Sequence, residues 1–160
     1  MTRRTLMAFA LLSFSGFFTV AMAGGPMPQL YIFGAEKCGY CQKALIFLRG
    51  LQSRDNSRFQ LHEYDIVRSS DEATLYAKLV TSIGLNSPVV PMIIIGRDVV
   101  LGYESGETTG AEIAGYIEAC QTKDCPDLVG RMIELPGAVD VSSIGTWTTH
   151  RRWIEAEIRP

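Results

Sequence analysis

The sequence predicts one α/β domain, a mixed four-stranded sheet flanked by helices in the order β-α-β-α-β-β-α. Three observations predict it. Short β-branched and aromatic runs alternate with longer segments of helical periodicity. Two apolar runs, 92–95 and 99–103, are separated by a Gly96-Arg97-Asp98 turn, the signature of a hairpin. A length of 160 residues, 47% apolar and 20% charged, suits a single buried core and excludes a disordered or fibrous chain. Lys and Arg number 15 against 17 Asp and Glu, so there is no basic excess to hold phosphates and nucleic acid is not an expected partner.

The elements follow in order. Arg3 and Arg4 precede an apolar run over 6–20 that ends in Ala21-Met22-Ala23, the layout of a signal peptide over 1–23 cut before Gly24. An uncleaved anchor is the rival reading, and both put the body outside the cytoplasm, periplasmic or secreted. Residues 30–33 read as a strand buried on both faces, ended by Gly34. From Cys41, Ala44, Leu45, Leu48 and Leu51 recur at helical spacing, with Lys43 and Arg49 elsewhere on the wheel. Residues 59–66 form a second strand, in which His62 is expected to face solvent.

Ser69 and Glu72 make a capping box before Leu75, Leu79, Val80 and Ile83, and Gly84 stops that helix. Val89-Val90-Pro91 leads into the hairpin. Thr109 and Glu112 make a second capping box, followed by Ile113, Ile117 and Cys120 on one face. Gly130, Pro136, Gly137 and Gly145 interrupt the pattern thereafter, so the expected domain covers 24–125 and 126–160 is an irregular extension. In it, Trp147, Trp153, Ile154 and Ile158 form either a small apolar face or a frayed tail.

The cysteines carry the chemistry. Cys38-Gly39-Tyr40-Cys41 falls where a buried strand gives way to a helix. Unpaired N–H groups and the positive end of the helix dipole there favour a thiolate at Cys38. Cys41, two residues further on, can reach a mixed disulfide on Cys38 and expel the product. Cys38 is therefore the expected nucleophile and Cys41 the resolving thiol. A purely structural bridge and half of a zinc site are the rivals. Zinc needs two more ligands, from Cys120 and Cys125 or from His62 and His150, and none stands at a familiar spacing.

Over 29–120 the chain resembles the thioredoxin and glutaredoxin superfamily, through the strand, CxxC and helix of 30–51 and through Val90-Pro91 ahead of the hairpin. The resemblance implies a thioredoxin-like fold, thiol-disulfide oxidoreductase activity and a cis-proline at Pro91 opposite the cysteines. Val90 would then offer its backbone to a substrate strand, and Tyr40 would line the site as in glutaredoxins. It implies neither metal nor organic cofactor, because the cysteines carry the electrons. Three departures accompany it. Lys37 stands where thioredoxins carry Trp, Ile32 stands where they carry a buried Asp, and Gly102-Tyr103-Glu104-Ser105 lacks the Gly-Gly and acidic pair that hold glutathione. Glutathione is left open as a partner.

The chain is further similar to the extracytoplasmic thioredoxin-like domains associated with cytochrome c biogenesis-type transmembrane electron carriers. Gly102-Tyr103, Thr109-Gly110, Cys120 and the stretch 133–143 carry that likeness. It implies a disulfide reductant acting on protein thiols and disulfides and fed by a membrane-embedded electron donor. A redox-inactive thioredoxin-like module that binds peptides is the alternative from a different class. Cys120 and Cys125, five apart, would have Cα atoms about 8–9 Å apart on a continuous helix, too far for a disulfide. Pro126 disfavours helix at Cys125, so a turn can unite the pair as a structural disulfide, the default in an oxidising compartment, with a second redox pair as the rival.

Overall fold

The computed structural model describes residues 27–135 and 147–151. The expected leader 1–23, residues 136–143 of the linker-like stretch, and Trp153, Ile154 and Ile158 lie outside the described residues.

Strand β1 (Gln29–Gly34) is central, pairing in parallel with β2 (Gln60–Asp65) and antiparallel with β3 (Met92–Ile95). Strand β4 (Asp98–Leu101) pairs antiparallel with β3 through the two-residue turn Gly96-Arg97, where Gly96 takes a positive φ of 58°. Helix α1 (Gly39–Arg54) joins β1 to β2, and α2 (Ser70–Ile83) joins β2 to β3. Helix α3 (Ala111–Thr122) follows β4 after a π-helical turn at Gly106–Gly110. This is the thioredoxin-like arrangement that the resemblance implies.

Alternation along the strands builds two core layers, because successive side chains point to opposite faces. Leu30, Ile32, Ile93 and Ile95 pack against Ala44 and Leu48 of α1 and Ile113 and Ile117 of α3. Tyr31, Phe33, Met92 and Ile94 face the other way, against Tyr76 and Leu79 of α2. The apolar stripes that define α1, α2 and α3 in the sequence are the faces that close on the sheet.

The extension corrects the expectation for 126–160. Residues Leu128–Glu134 form helix α4, and Thr148–Arg151 form a fifth strand, β5, parallel to β4, giving the order β2-β1-β3-β4-β5. Helix α4 is seven residues long, contains Gly130 and buries only Leu128 and Val129, too short a stripe to register as periodicity. Strand β5 carries Thr148, Thr149 and His150, polar residues suited to a sheet edge and without apolar alternation.

Two local expectations also change. Ser69 accepts from the Glu72 N–H at 3.3 Å, as a capping box requires, but the Glu72 carboxylate accepts from the Asp65 N–H rather than returning to Ser69. The box at Thr109 and Glu112 does not form. Ser105 caps instead, accepting from the Thr108 N–H, while the buried Thr109 hydroxyl accepts from the Glu104 N–H and Glu112 accepts from the Tyr116 hydroxyl. His62 does not face open solvent. Its ring stacks on Tyr31 at 4.5 Å between centroids, and its Nε2 lies 2.7 Å from Gln29 Oε1. Among the described residues no helix is long and apolar enough to cross a membrane.

Candidate active site

The site is built where β1 ends. The Cys38 N–H donates to the Ala35 carbonyl at 3.0 Å, closing the turn that delivers Cys38 to the N-cap position of α1. The Gln42 side chain donates to the Glu36 carbonyl at 2.7 Å and holds that turn from the helix side. Cys38 Sγ in turn accepts from the Cys41 N–H at 3.1 Å. An amide that α1 cannot satisfy internally is therefore aimed at the sulfur, and the first turn of α1 contains no acidic residue to offset the helix dipole. Both features stabilise negative charge on Cys38 more than on a thiol in open solvent.

Cys38 and Cys41 are joined by a disulfide, with Cα atoms 5.2 Å apart. Their environments differ. Cys38 is partly exposed, whereas Cys41 is 1% exposed and sits against β1. A Cβ on Gly34 would lie 3.0 Å from Cys41 Cβ and 3.2 Å from its sulfur, so the missing side chain at Gly34 is what lets α1 settle there. An incoming thiolate reaches Cys38 first.

The sheet register brings the proline to the same end. Phe33 pairs with Met92, so one step further along the two strands Pro91 lies across from Gly34, the residue packed on Cys41. The Val90–Pro91 peptide bond is cis. Pro91 is buried and its carbonyl accepts from the Gly102 N–H at 2.8 Å, while Val90 is half-buried. Tyr40 stands out from the motif, 57% exposed, with Lys43 Nζ 5.6 Å from its ring centroid. The structure thus gathers Cys38, Cys41 and Pro91 at one end of the sheet with an exposed aromatic ring beside them.

Behind Cys41 a groove of about 480 Å³ runs between α1 and the β2–α2 connection. Its walls include Arg49 and Glu63, an ion pair joined by two hydrogen bonds, together with Asp65 and Glu72. Ile32, which stands where thioredoxins carry an acid, is 2% exposed and belongs to the apolar layer under α1.

Cys120 and Cys125 are also joined, with Cα atoms 5.0 Å apart. The chain leaves α3 at Thr122 and turns back, bringing Cys125 to Cys120. This pair belongs to the opposite end of the sheet, where a Cβ on Gly96 would lie 3.0 Å from Cys125 Sγ and 3.3 Å from Cys120 Sγ. Five strand steps at about 3.4 Å, roughly 17 Å, separate Gly96 from Pro91, so sulfur from one pair does not contact the other. Among the described residues no group of three or more His, Cys, Asp and Glu side chains is placed to hold a metal ion.

Two residues of the site escaped sequence reading. Gly34 reads only as a strand end, and its contact with Cys41 becomes visible once α1 folds back. Tyr76 holds the segment ahead of the cis-proline, its hydroxyl bonded to both the C=O and the N–H of Val89; it lies at i−3 and i−4 from Leu79 and Val80, so helical spacing alone would have placed it on the buried stripe.

No family model and no curated protein matches the chain. Solved structures do. The chain is similar to a glutaredoxin from Archaeoglobus fulgidus, with 22% identity and a TM-score of 0.39 over 52% of this chain and 85% of that one. It is also similar to buckwheat glutaredoxin, solved as a glutathione complex, with 19% identity and a TM-score of 0.39 over 59% of this chain and 77% of that one. At these identities and TM-scores, the chemistry of this chain rests on its own residues.

Proposed function

We propose that this protein is an extracytoplasmic thiol-disulfide oxidoreductase that works as a disulfide reductant. The observation that carries the chemistry is the asymmetric CxxC pair: Cys38 partly exposed at the helix N-cap and receiving an N–H, Cys41 buried behind it. In the reduced protein the Cys38 thiolate attacks one sulfur of a substrate disulfide. The Cys38–substrate bond forms, the substrate S–S bond breaks, and one substrate thiolate leaves and takes up a proton. Cys41, as thiolate, then attacks Cys38 Sγ and expels the second substrate thiolate. The substrate gains two electrons and the protein ends as the Cys38–Cys41 disulfide.

Return to the dithiol needs two electrons from a second thiol couple. The likeness to carrier-associated domains supports a membrane-embedded donor for them, and the Arg-apolar-small pattern of residues 3–23 supports an extracytoplasmic location. Val90, Pro91 and Tyr40 supply the surface on which a protein substrate lies.

Turnover of a small disulfide by the reduced protein tests this reading. Wild type is expected to be active, Cys38→Ser inactive yet folded, and Cys41→Ser to accumulate a mixed disulfide through Cys38. A Cys38→Ser variant as active as wild type overturns it, and peptide binding by wild type without turnover favours the redox-inactive module. N-terminal sequencing of exported protein tests the location: Gly24 is expected, and Met1 or Thr2 on a membrane-bound form points to an anchor.

A further inference from the structure

We propose that Tyr76 is a positioning residue: by fixing Val89 it holds Val90, whose backbone the family resemblance already assigns to a substrate strand, in the orientation that peptide pairing needs. The proposal rests on the oxidoreductase reading and concerns which disulfides it accepts. Backbone polar groups seek partners wherever they are not hydrated, so each group in this segment can be followed to its destination. The Tyr76 hydroxyl donates to the Val89 carbonyl at 2.8 Å and accepts from the Val89 N–H at 2.7 Å, consuming both groups of that residue. Pro91 has no N–H, and its carbonyl is taken by Gly102. Among the described residues, neither the N–H nor the C=O of Val90 has an intramolecular partner.

One donor and one acceptor on a single residue, flanked by residues whose groups are occupied, form a place where one residue of an extended chain can pair. Tyr76 is suited to set that place. It is 5% exposed, lies in α2 between Phe33 at 5.9 Å and the segment it holds, and burial raises its phenol pKa, so the hydroxyl keeps the proton it donates. A single rigid side chain thus fixes Val89 in both directions, and the orientation of Val90 follows because Pro91 is held on the other side.

The test compares two disulfides, a disulfide-bonded extended peptide and a small aromatic disulfide without peptide groups, on wild type and Tyr76→Phe. The Phe ring retains the packing and removes both hydrogen bonds. Two lost hydrogen bonds in an ordered segment are expected to lower the peptide-to-non-peptide ratio of kcat/KM about tenfold, through KM for the peptide rather than kcat. Equal losses on the two substrates, or an unchanged ratio, overturn the role of Tyr76 alone. Wild type that turns over neither substrate overturns the oxidoreductase reading, and the proposal with it.

Amide exchange gives a second readout that does not depend on the variant folding. In wild type the Val89 N–H should be protected with and without peptide. The Val90 N–H should exchange freely until the peptide is trapped as a mixed disulfide on Cys41→Ser. Rapid exchange at Val89 in the free protein, or no added protection at Val90 in the trapped complex, overturns the proposal.

Discussion

The Tyr31 hydroxyl donates to both carboxylate oxygens of Asp127, at 2.9 and 3.0 Å, across 96 residues of sequence. Asp127 also caps α4, accepting from the Gly130 N–H at 2.8 Å. One carboxylate therefore starts the last helix and ties it to the central strand. Tyr31→Phe keeps the ring and removes the tie, with an expected loss of about 1–2 kcal/mol because the acceptor is charged. Denaturant unfolding checks it; an unchanged midpoint would show that burial of Leu128 and Val129 holds α4 unaided.

The same pair predicts a pH dependence. Burial, and then the hydrogen bond to Asp127, push the Tyr31 phenol well above its ordinary value of 10.0. A group whose pKa is raised by folding stabilises the protein fully below its unfolded pKa, and that stability is lost as pH rises towards the folded pKa. The stability gap between wild type and Tyr31→Phe should therefore be constant in neutral solution and shrink above about pH 10. Tyr64 and Tyr76 are raised by burial too, which makes the difference between the two proteins the measurement that isolates Tyr31. A gap that stays constant into the alkaline range would show that the phenol ionises equally easily folded and unfolded.

Most of the framework was legible because period and caps agree from β1 to the hairpin, over residues 29–101. The run of β1 ends at Gly34, the α2 stripe begins at Ser69 and stops at Gly84, and the Gly96-Arg97 turn opens the hairpin. Legibility failed where long-range contacts outweigh local pattern. Thr109 resembles a cap but is buried, with its hydroxyl committed to Glu104, and a Cβ on Gly110 would lie 2.7 Å from the Phe47 ring, so helix packing decides how that turn begins. His62 is expected to face solvent from its strand, yet parallel pairing sets it beside Tyr31, on which it stacks. At the site, Cys38 and Cys41 were readable as a pair from their spacing and their place where a strand gives way to a helix. Tyr76 and Gly34 act through partners 13 and 7 residues away, a relationship made by the fold.

Cys38 should be alkylated well before Cys41 in the reduced protein. Cys38 is the partly exposed sulfur and receives the Cys41 N–H, whereas Cys41 is 1% exposed. At mildly acidic pH, with limiting alkylating agent, peptide mapping should find Cys38 modified in at least about tenfold excess, since the helix N-terminus favours a thiolate there and burial shields Cys41 from the reagent. Equal labelling would remove the basis for naming Cys38 the attacking thiol.

Gly34→Ala tests the packing under the resolving cysteine. The added methyl would stand 3.0 Å from Cys41 Cβ and 3.2 Å from its sulfur, closer than side chains settle without displacement. Overpacking of this kind is expected to cost about 1–3 kcal/mol. Cys41 should be pushed off its line to Cys38, so mixed disulfide should accumulate during turnover while the first attack proceeds at its normal rate. Normal resolution in a variant of normal stability would show that α1 can slide to make room.

The second disulfide should hold the chain and take no part in exchange at Cys38. Cys120–Cys125 ties the end of α3 to the start of the α4 connection and packs both sulfurs against Gly96 at the hairpin tip, at the end of the sheet opposite Pro91. Separation by the length of β3 bars direct exchange with Cys38–Cys41, which needs sulfur in contact with sulfur. Replacing both Cys120 and Cys125 with Ser is expected to cost about 2 kcal/mol, towards the lower end for native disulfides because the closed loop is short. Turnover on a small disulfide should stay within about twofold of wild type, since neither residue touches the reacting sulfurs. If turnover collapses while the melting curve stays in place, the pair must pass electrons through a partner that bridges the two ends, and Cys120 and Cys125 move from scaffold to reaction.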